Sequence, residues 1–167
     1  MTAADRQAVH TGGCQCGAVR YALFAEPANA SICHCRMCQK AFGSFFAPLA
    51  GVSMSDFAVT KGDLSVFKSS DAVERGFCKA CGTPLTFRYL THGAEPSSEG
   101  LVNEIDVSIG SLDQPQRVKP RKQYGTEARM PWFDDLHGLA GAQTDETTSA
   151  ETLGLIKSSN RQHPDHD

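Results

Sequence analysis

The sequence predicts a mainly β domain, and three observations support this fold class. Apolar and polar residues alternate in short runs between residues 19 and 109, and this two-residue period is typical of half-buried strands. The longer period of an amphipathic helix is missing through residue 140. The seven cysteines all lie in three short clusters, at residues 14–16, 33–38 and 78–81, which is typical of a small domain held together by bound metal.

The first half of the chain is expected to contain three strands and one short helix. Residues 19–23 alternate as a half-buried strand does, and residues 30–32 lead into the second cysteine cluster. A short helix is predicted over 36–41. Residues 45–50 form the third strand, in which Pro48 lacks a backbone donor and therefore indicates an edge strand or a bulge.

The second half of the domain is expected to contain five more strands. Residues 57–60 and 64–67 flank a Lys-Gly-Asp turn, which predicts a hairpin or two strands joined by a turn. Residues 74–77 lead into the last cysteine cluster and residues 84–89 leave it. Alternation over 104–109 predicts a late strand.

Length and composition predict one domain followed by a tail. A chain of 167 residues is long enough to bury a core of its own. We place the domain at residues 10–140 and a polar tail at 141–167. The run Thr148-Ser149-Ala150-Glu151 has the form of a capping box, so the tail is expected to form a short helix at 148–158 or to stay disordered.

The charge balance and the N-terminal residues argue against several classes of protein. Sixteen basic and 19 acidic residues give a net charge of −3, whereas a general nucleic-acid binder has a basic surface. No apolar run approaches the roughly 20 residues that cross a bilayer. The first seven residues lack the apolar segment of a signal peptide, so a cytoplasmic location is expected. The oligomeric state stays open.

The spacing of the cysteines favours metal ligation. Thiolates two or three residues apart can converge on one soft cation, and zinc is the usual one. A disulfide framework prefers an even number of cysteines in a secreted chain, and the usual iron–sulfur spacings are missing. Structural zinc takes four ligands and catalytic zinc takes three, so seven cysteines suggest one closed and one open site. Spacing alone leaves open which clusters share an ion.

The sequence leaves open the roles of the polar residues near the middle cluster. In an extended chain His34 would point away from the side shared by its two cysteine neighbours, so we expect it outside the coordination sphere. Arg36 and Lys40 place positive charge beside the thiolates, either to attract an anion or simply as solvated cations. His34, Asp106 and His137 are candidate proton-transfer groups, and nothing in the sequence favours one of them.

Three segments, at residues 13–21, 33–40 and 77–85, resemble those of the glutathione-dependent formaldehyde-activating enzyme family, which includes the centromere protein V type. The resemblance covers roughly residues 10 to 138 and includes the order, spacing and flanking glycines of the cysteines. Residues 131–136 are similar to the closing Trp motif of the family. We expect Trp132 to plug the core, and the phenylalanines of residues 42–46 to pack in it rather than line a pocket.

The resemblance implies a β-tent fold of Mss4-like type with two zinc ions per chain. A structural zinc would be held by Cys14, Cys16, Cys78 and Cys81. A second, more easily lost zinc would be held by Cys33, Cys35 and Cys38, which would also be the catalytic residues because they hold the reactants' metal.

The resemblance also implies an activity, that of a carbon–sulfur lyase of the S-hydroxymethylglutathione synthase type. Its reactants would be a small-molecule thiol such as glutathione and a small aldehyde such as formaldehyde. The alternative is a non-catalytic protein that binds zinc and thiols. A chromatin-type module is a third interpretation, and the acidic charge balance argues against it.

Overall fold

The computed structural model describes residues 6–91 and 101–166, so residues 92–100, whose Gly, Pro, Ser and Glu content predicts a loop, lie outside the described residues. Within them the chain forms ten strands and three α-helices, joined by turns and short 3-10 segments. The strands are β1 (His10–Gly13), β2 (Arg20–Leu23), β3 (Asn29–Cys33), β4 (Ala47–Ser53), β5 (Phe57–Lys61), β6 (Ser65–Ser70), β7 (Val73–Phe77), β8 (Pro84–Tyr89), β9 (Glu104–Ser108) and β10 (Lys122–Tyr124). The helices are α1 (Arg36–Phe42), α2 (Thr144–Thr147) and α3 (Ala150–Ser159).

The strands form two sheets, which confirms the mainly β prediction. The small sheet has the order β1-β2-β5, and the large one has the order β10-β3-β4-β9-β8-β7-β6. Neighbouring strands are antiparallel except β10, which runs parallel to β3 at one edge. The described helices are short, and none is long and apolar enough to cross a bilayer.

The buried side chains form two clusters, and each contains cysteine. The larger cluster packs residues of both sheets together with two cysteines and includes Tyr21, Leu23, Leu85, Val107, Cys14 and Cys78. The Tyr21 hydroxyl lies 2.8 Å from Ser111 Oγ, so its polar end is satisfied inside the core. The smaller cluster surrounds Cys38 and includes Ala47, Leu49, Val73 and Phe87. Each cysteine group therefore packs against buried apolar side chains.

The turn at Gly62 joins two sheets and does not close a hairpin. β5 pairs with β2 in the small sheet, whereas β6 pairs with β7 in the large sheet. Of the two predicted alternatives, the hairpin is wrong and the pair of strands joined by a turn is correct. Short alternating runs specify strands, but the choice of partner strand depends on contacts that are distant in sequence.

Pro48 does not mark an edge strand. It lies in β4, between β3 and β9 near the middle of the large sheet, and pairs with Ile32 without a register shift. The β9 partner reaches only from Leu49 to Ser53, so Pro48 sits beyond the end of that pairing. The missing backbone donor of proline is tolerated there because no neighbouring strand needs it.

The tail is helical at α3 and then returns to the domain. Ser149 caps α3, since its side chain accepts a hydrogen bond from Thr152 N. Beyond the helix, His163 N donates to Gln15 O over 2.7 Å, within the first cysteine cluster. The helical alternative is thus the one observed, while the proposed division at residue 141 stays a prediction.

Candidate metal centres

Four cysteines from distant parts of the chain form one compact group, here called the closed centre. The Sγ atoms of Cys14, Cys16, Cys78 and Cys81 all lie within 4.8 Å of one another. The Cys14 and Cys16 sulfurs are 3.6 Å apart, and those of Cys16 and Cys78 are 3.9 Å apart. Four sulfurs at such separations can surround one ion in a tetrahedron.

Strand ends and glycine turns hold the closed centre together. Cys14 and Cys16 follow β1, and Cys78 and Cys81 lie between β7 and β8. At both places a tight turn directs the sulfurs toward one another. Gly82 N donates to Cys78 O over 2.8 Å, and Gly82 has φ +78°. Gly17 has φ +70°, and a Cβ there would lie 2.1 Å from the His163 ring. Both positions therefore require glycine.

Three cysteines form a second group, here called the open centre. The Sγ atoms of Cys33, Cys35 and Cys38 lie within 4.8 Å of one another, and no further His, Cys, Asp or Glu joins them among the residues described. Cys33 ends β3, Cys35 caps α1, and Cys38 lies in the first turn of that helix. Cys38 N is 3.5 Å from Cys35 Sγ. The short helix thus brings the three sulfurs to one side.

A buried arginine from β7 faces the open centre. Arg75 is 8% exposed, and its Nη2 donates to Cys38 Sγ over 3.5 Å. Its Nε donates to Ser69 Oγ over 3.3 Å, and the guanidinium lies 5.0 Å from the centre of the Phe87 ring. A buried cation needs an anionic partner, and the Cys38 thiolate supplies one.

The pKa values of these thiols fit a metal-binding donor set. A hydrogen bond from Cys33, together with Arg75, lowers the pKa of Cys38 to about 5, while the hydrogen bond to Cys38 raises the pKa of Cys33. In the closed centre, burial opposes ionisation of Cys81, but hydrogen bonds from Thr83 bring its pKa to about 6. One thiol in each group is thus readily ionised, as a zinc ligand must be.

A cavity of about 280 Å³ adjoins the open centre. Its wall includes Cys33 and Cys38 together with two acidic residues of β9, Glu104 and Asp106, and the apolar side chains of Leu49 and Phe87. Burial, and then the negative charges of Glu104 and Cys38, raise the pKa of Asp106 to about 7. No other described side chain hydrogen-bonds to or pairs with the Asp106 carboxyl, so it is available to a molecule in the cavity.

The other two proton-transfer candidates lie elsewhere. His34 is fully buried, with Nε2 within 3.0 Å of the Gln123 side-chain oxygen and its ring edge against Phe133 at 4.7 Å. It belongs to neither group of ligands, as its alternation with the cysteines indicates. His137 is exposed in a 3-10 segment and does not line the cavity. Of the three candidates, Asp106 alone lines it.

The aromatic residues near the open centre form a surface cluster. Trp132 is 45% exposed and packs edge-on against Phe45 at 5.2 Å, so the prediction that it plugs the core is wrong. Phe45, Phe46 and Phe133 form a network of edge-to-face contacts over the buried His34 ring. None of them lines the cavity at Asp106. These rings cover His34 and close one side of the domain.

Sequence reasoning did not single out Arg75, which lies 37 residues from Cys38 in the chain. The available signal was a cation in a predicted strand just before the last cysteine cluster. Arg36 and Lys40, which the sequence did single out, are exposed on α1 and share a second cavity with Arg75.

Comparison with known proteins identifies the family. A family model described as glutathione-dependent formaldehyde-activating enzyme matches residues 9–128, which include all seven cysteines. An uncharacterized lyase of Schizosaccharomyces pombe is 32% identical over 87 residues, which are 52% of this chain. The chain spans 62% of the length of that relative.

A solved structure agrees in fold. The crystal structure of a Rhodobacter sphaeroides protein from a structural genomics programme superposes with a TM-score of 0.50 at 24% identity. The match covers 68% of this chain and 98% of the other. At this identity the match shows the fold alone. With the family model spanning most of the chain, the conclusion is that this protein belongs to the glutathione-dependent formaldehyde-activating enzyme family.

Proposed function

We propose that this protein is a zinc-dependent carbon–sulfur lyase that forms and cleaves adducts of a small thiol, such as glutathione, with an aldehyde such as formaldehyde. The observation that best supports this proposal is the three-sulfur group beside a cavity that contains a free carboxyl group, Asp106. A structural zinc site is complete with four ligands, whereas three protein ligands leave a position for a reactant. The family and the lyase-named relative support the reaction type.

The residues of each centre fit zinc. Four cysteine sulfurs match a structural site, and three match a site with an open position. We propose zinc at both, two ions per chain, with the ion at the open centre more easily lost because it has fewer protein ligands. Zinc held by Cys33, Cys35 and Cys38 would lower the pKa of a thiol substrate and polarise the aldehyde oxygen.

The side chains around the cavity would then transfer the protons and exclude water. In the condensation, the thiol loses its proton, its sulfur forms a bond to the carbonyl carbon, and the carbonyl oxygen takes up a proton. Asp106 is placed to accept the first proton and to return it to the oxygen, because its pKa is close to neutrality. Leu49 and Phe87 limit access of water. The reverse sequence breaks the carbon–sulfur bond.

The positive charge of Arg75 lowers the electrostatic cost of gathering thiolates. Three thiolates outweigh a divalent cation, and a fourth thiolate from the substrate would add to the excess. The guanidinium beside Cys38 offsets one negative charge in a buried setting, where charges are poorly screened. The protein therefore favours a substrate that arrives as a thiol and binds as a thiolate.

The proposed function also predicts the cellular compartment in which the protein acts. Free cysteines that serve as ligands, and a thiol substrate, both require a reducing compartment, so we propose that the protein acts in the cytoplasm. Partners other than the small thiol and aldehyde are not part of the proposal. No nucleic acid is expected for an acidic chain.

A direct test is exchange spectroscopy of carbon-13 formaldehyde with glutathione, in which a sample without protein gives the uncatalysed rate. The two-zinc protein is expected to accelerate the exchange between free aldehyde and adduct, and Cys35→Ser to abolish the acceleration while the closed centre keeps its zinc. Glutathione binding without any acceleration would favour the alternative, a non-catalytic thiol-binding protein. A protein that neither binds glutathione nor accelerates exchange would contradict both.

A further inference from the structure

A second cavity, of about 430 Å³, lies between α1 and the strands β6 and β7. Three of its lining residues are basic: Arg36 and Lys40 of α1, and Arg75 of β7. No acidic residue belongs to this lining, although the chain as a whole has a net charge of −3. The cavity, here called the basic cavity, shares no residue with the cavity at Asp106. It is therefore a separate candidate binding site, and its charge is positive.

The two cations of α1 have no carboxylate partner in the described part of the chain. Arg36 and Lys40 are exposed, and neither forms an ion pair with a described residue. Arg36 donates to the side-chain oxygen of Gln39 and keeps further N–H groups for other acceptors. An ammonium group such as that of Lys40 has three donors and no acceptor. Both positive charges are therefore available to an anionic ligand.

The third cation, Arg75, is buried and has a nitrogen without a partner. It is 8% exposed, and its guanidinium donates from Nε to Ser69 and from Nη2 to Cys38. Its Nη1 is buried and has no hydrogen-bond partner among the described residues. A buried donor that stays unsatisfied is costly, and more so when it belongs to a charged group. An anion in the basic cavity would supply an acceptor for this guanidinium.

Apolar side chains form much of the remaining wall of the basic cavity. Met37 of α1 and Phe67 of β6 both line it, and they are 48% and 62% exposed. Burial of such apolar surface by a ligand is favourable, and an aromatic ring gains further free energy when it packs against another ring. The wall therefore suits a ligand in which an anionic group is joined to an aromatic ring.

We propose that the basic cavity binds a small phosphomonoester whose organic group is aromatic. The phosphate would accept hydrogen bonds from Arg36 and Lys40, the guanidinium of Arg75 would add a third positive charge, and the ring would pack on Phe67 and Met37. A phosphomonoester has a charge of about −1.5 to −2 at neutral pH and three acceptor oxygens, so it matches several cations better than a single carboxylate does. The site goes beyond the proposed function, because neither the thiol nor the aldehyde requires it.

The test is an NMR titration of nitrogen-15-labelled protein of measured zinc content, in which the amide shifts give both the binding site and the dissociation constant. Phenyl phosphate is the main probe, inorganic phosphate lacks the ring, and phenol lacks the charge. The variants are Arg36→Gln/Lys40→Gln, Phe67→Ser and Lys157→Gln. Lys157 is the matched control, because it is an exposed lysine in the last turn of α3, as Lys40 is in the last turn of α1.

Phenyl phosphate is expected to shift the amides of α1 and β6. Its affinity should fall about tenfold in the double variant and about fivefold in Phe67→Ser. Lys157→Gln should behave as wild type, phenol should not bind, and inorganic phosphate should bind equally to wild type and to Phe67→Ser. Absence of shifts at α1 and β6, or equal affinity in the double variant and Lys157→Gln, would overturn the site. Equal affinities of the wild type for phenyl phosphate and inorganic phosphate would overturn the aromatic phosphomonoester as its ligand.

Discussion

The two cysteine centres use the same ligand type but differ in what surrounds them. The closed centre brings together four sulfurs from strand ends that are more than 60 residues apart in the chain, and it packs into the main core. The three sulfurs of the open centre come from one local segment. They lie beside the cavity that contains the Asp106 carboxyl group, and the buried guanidinium of Arg75 contacts Cys38. From this difference we expect the distant sulfurs of the closed centre to stabilise the fold and the local sulfurs of the open centre to take part in the chemistry.

The largest expected difference between the centres lies in their contributions to folding. Cys81→Ser removes a ligand that ties two distant segments, and structural zinc contributes an apparent ~10 kcal/mol or more to folding, so we expect a largely unfolded protein. Cys35→Ser should keep the fold and lose thiol binding. Circular dichroism and zinc content of both variants check this. If both variants are equally unfolded, the assignment of the two roles is wrong.

A buried ion pair beside the closed centre should also matter for stability. Arg20 donates to Asp113 through two contacts, of 2.9 Å and 2.5 Å, and both side chains are almost fully buried. Asp113→Asn removes the negative charge from this buried pair, so we expect a loss of about 3 kcal/mol in the free energy of unfolding.

The matched control is Asp134→Asn, since the Arg129–Asp134 pair is on the surface and Asp134 is 75% exposed. We expect that change to cost less than about 1 kcal/mol. Urea titration at pH 7 gives both values. Similar losses in the two variants would show that burial does not determine how much each ion pair contributes to the free energy of unfolding. Zinc content should be unchanged in both.

Asp106 should affect activity more than stability. Asp106→Asn removes the proton acceptor from the cavity, and we expect turnover to fall by about 100-fold. In wild type, the rate should rise with pH through about 7 as the carboxyl ionises. Glu104→Gln removes a neighbouring negative charge, lowers the pKa of Asp106, and should move that rise to lower pH. A pH profile unchanged in both variants would exclude Asp106 as the proton acceptor.

The raised pKa of Asp106 also predicts how the free energy of unfolding changes with pH. A carboxyl whose pKa is higher in the folded state contributes stability below its unfolded value of 3.8 and loses it as the pH rises through about 7. Asp106→Asn should therefore be more stable than wild type at pH 8, by up to about 4 kcal/mol, and not at pH 4. Thermal unfolding at the two pH values measures the difference, and a larger gain at pH 4 would contradict the sign.

The smallest expected effect concerns the aromatic cluster. Trp132 is partly exposed and its main ring contact is Phe45, so Trp132→Ala should cost only about 1 kcal/mol and leave zinc content unchanged. A core tryptophan would cost about 3–5 kcal/mol. Chemical denaturation distinguishes the two values. A loss in the higher range would restore the view that this residue plugs the core.

The sequence was sufficient for features encoded by local spacing. The cysteine pairs at two- and three-residue intervals predicted that the sulfurs converge, as they do in two groups, and period-two alternation predicted most strands. Gly82 after the last cysteine has the positive φ that such a turn requires. His34 lies outside both sulfur groups, as its alternation with Cys33 and Cys35 predicted. In each case neighbouring residues alone decide the geometry.

Features that depend on distant contacts could not be predicted. β5 and β6 joined different sheets, Pro48 lay inside the large sheet, and Trp132 lay on the surface. Arg75 of β7 contacts Cys38 of α1 across 37 residues of chain, and no spacing reveals that contact. Strand order and burial are set by the whole chain, so a short pattern cannot specify them. The charged side chain of Arg75 beside the open centre could therefore be identified only from the structure.

The central claim is that the open centre binds a thiol substrate through its metal. The most direct measurement is a calorimetric titration of glutathione into protein shown to contain two zinc ions per chain, repeated with Cys35→Ser that keeps one zinc. We predict binding of glutathione by the wild type and none by the variant. Equal binding by both proteins, or none by the two-zinc wild type, would contradict the claim.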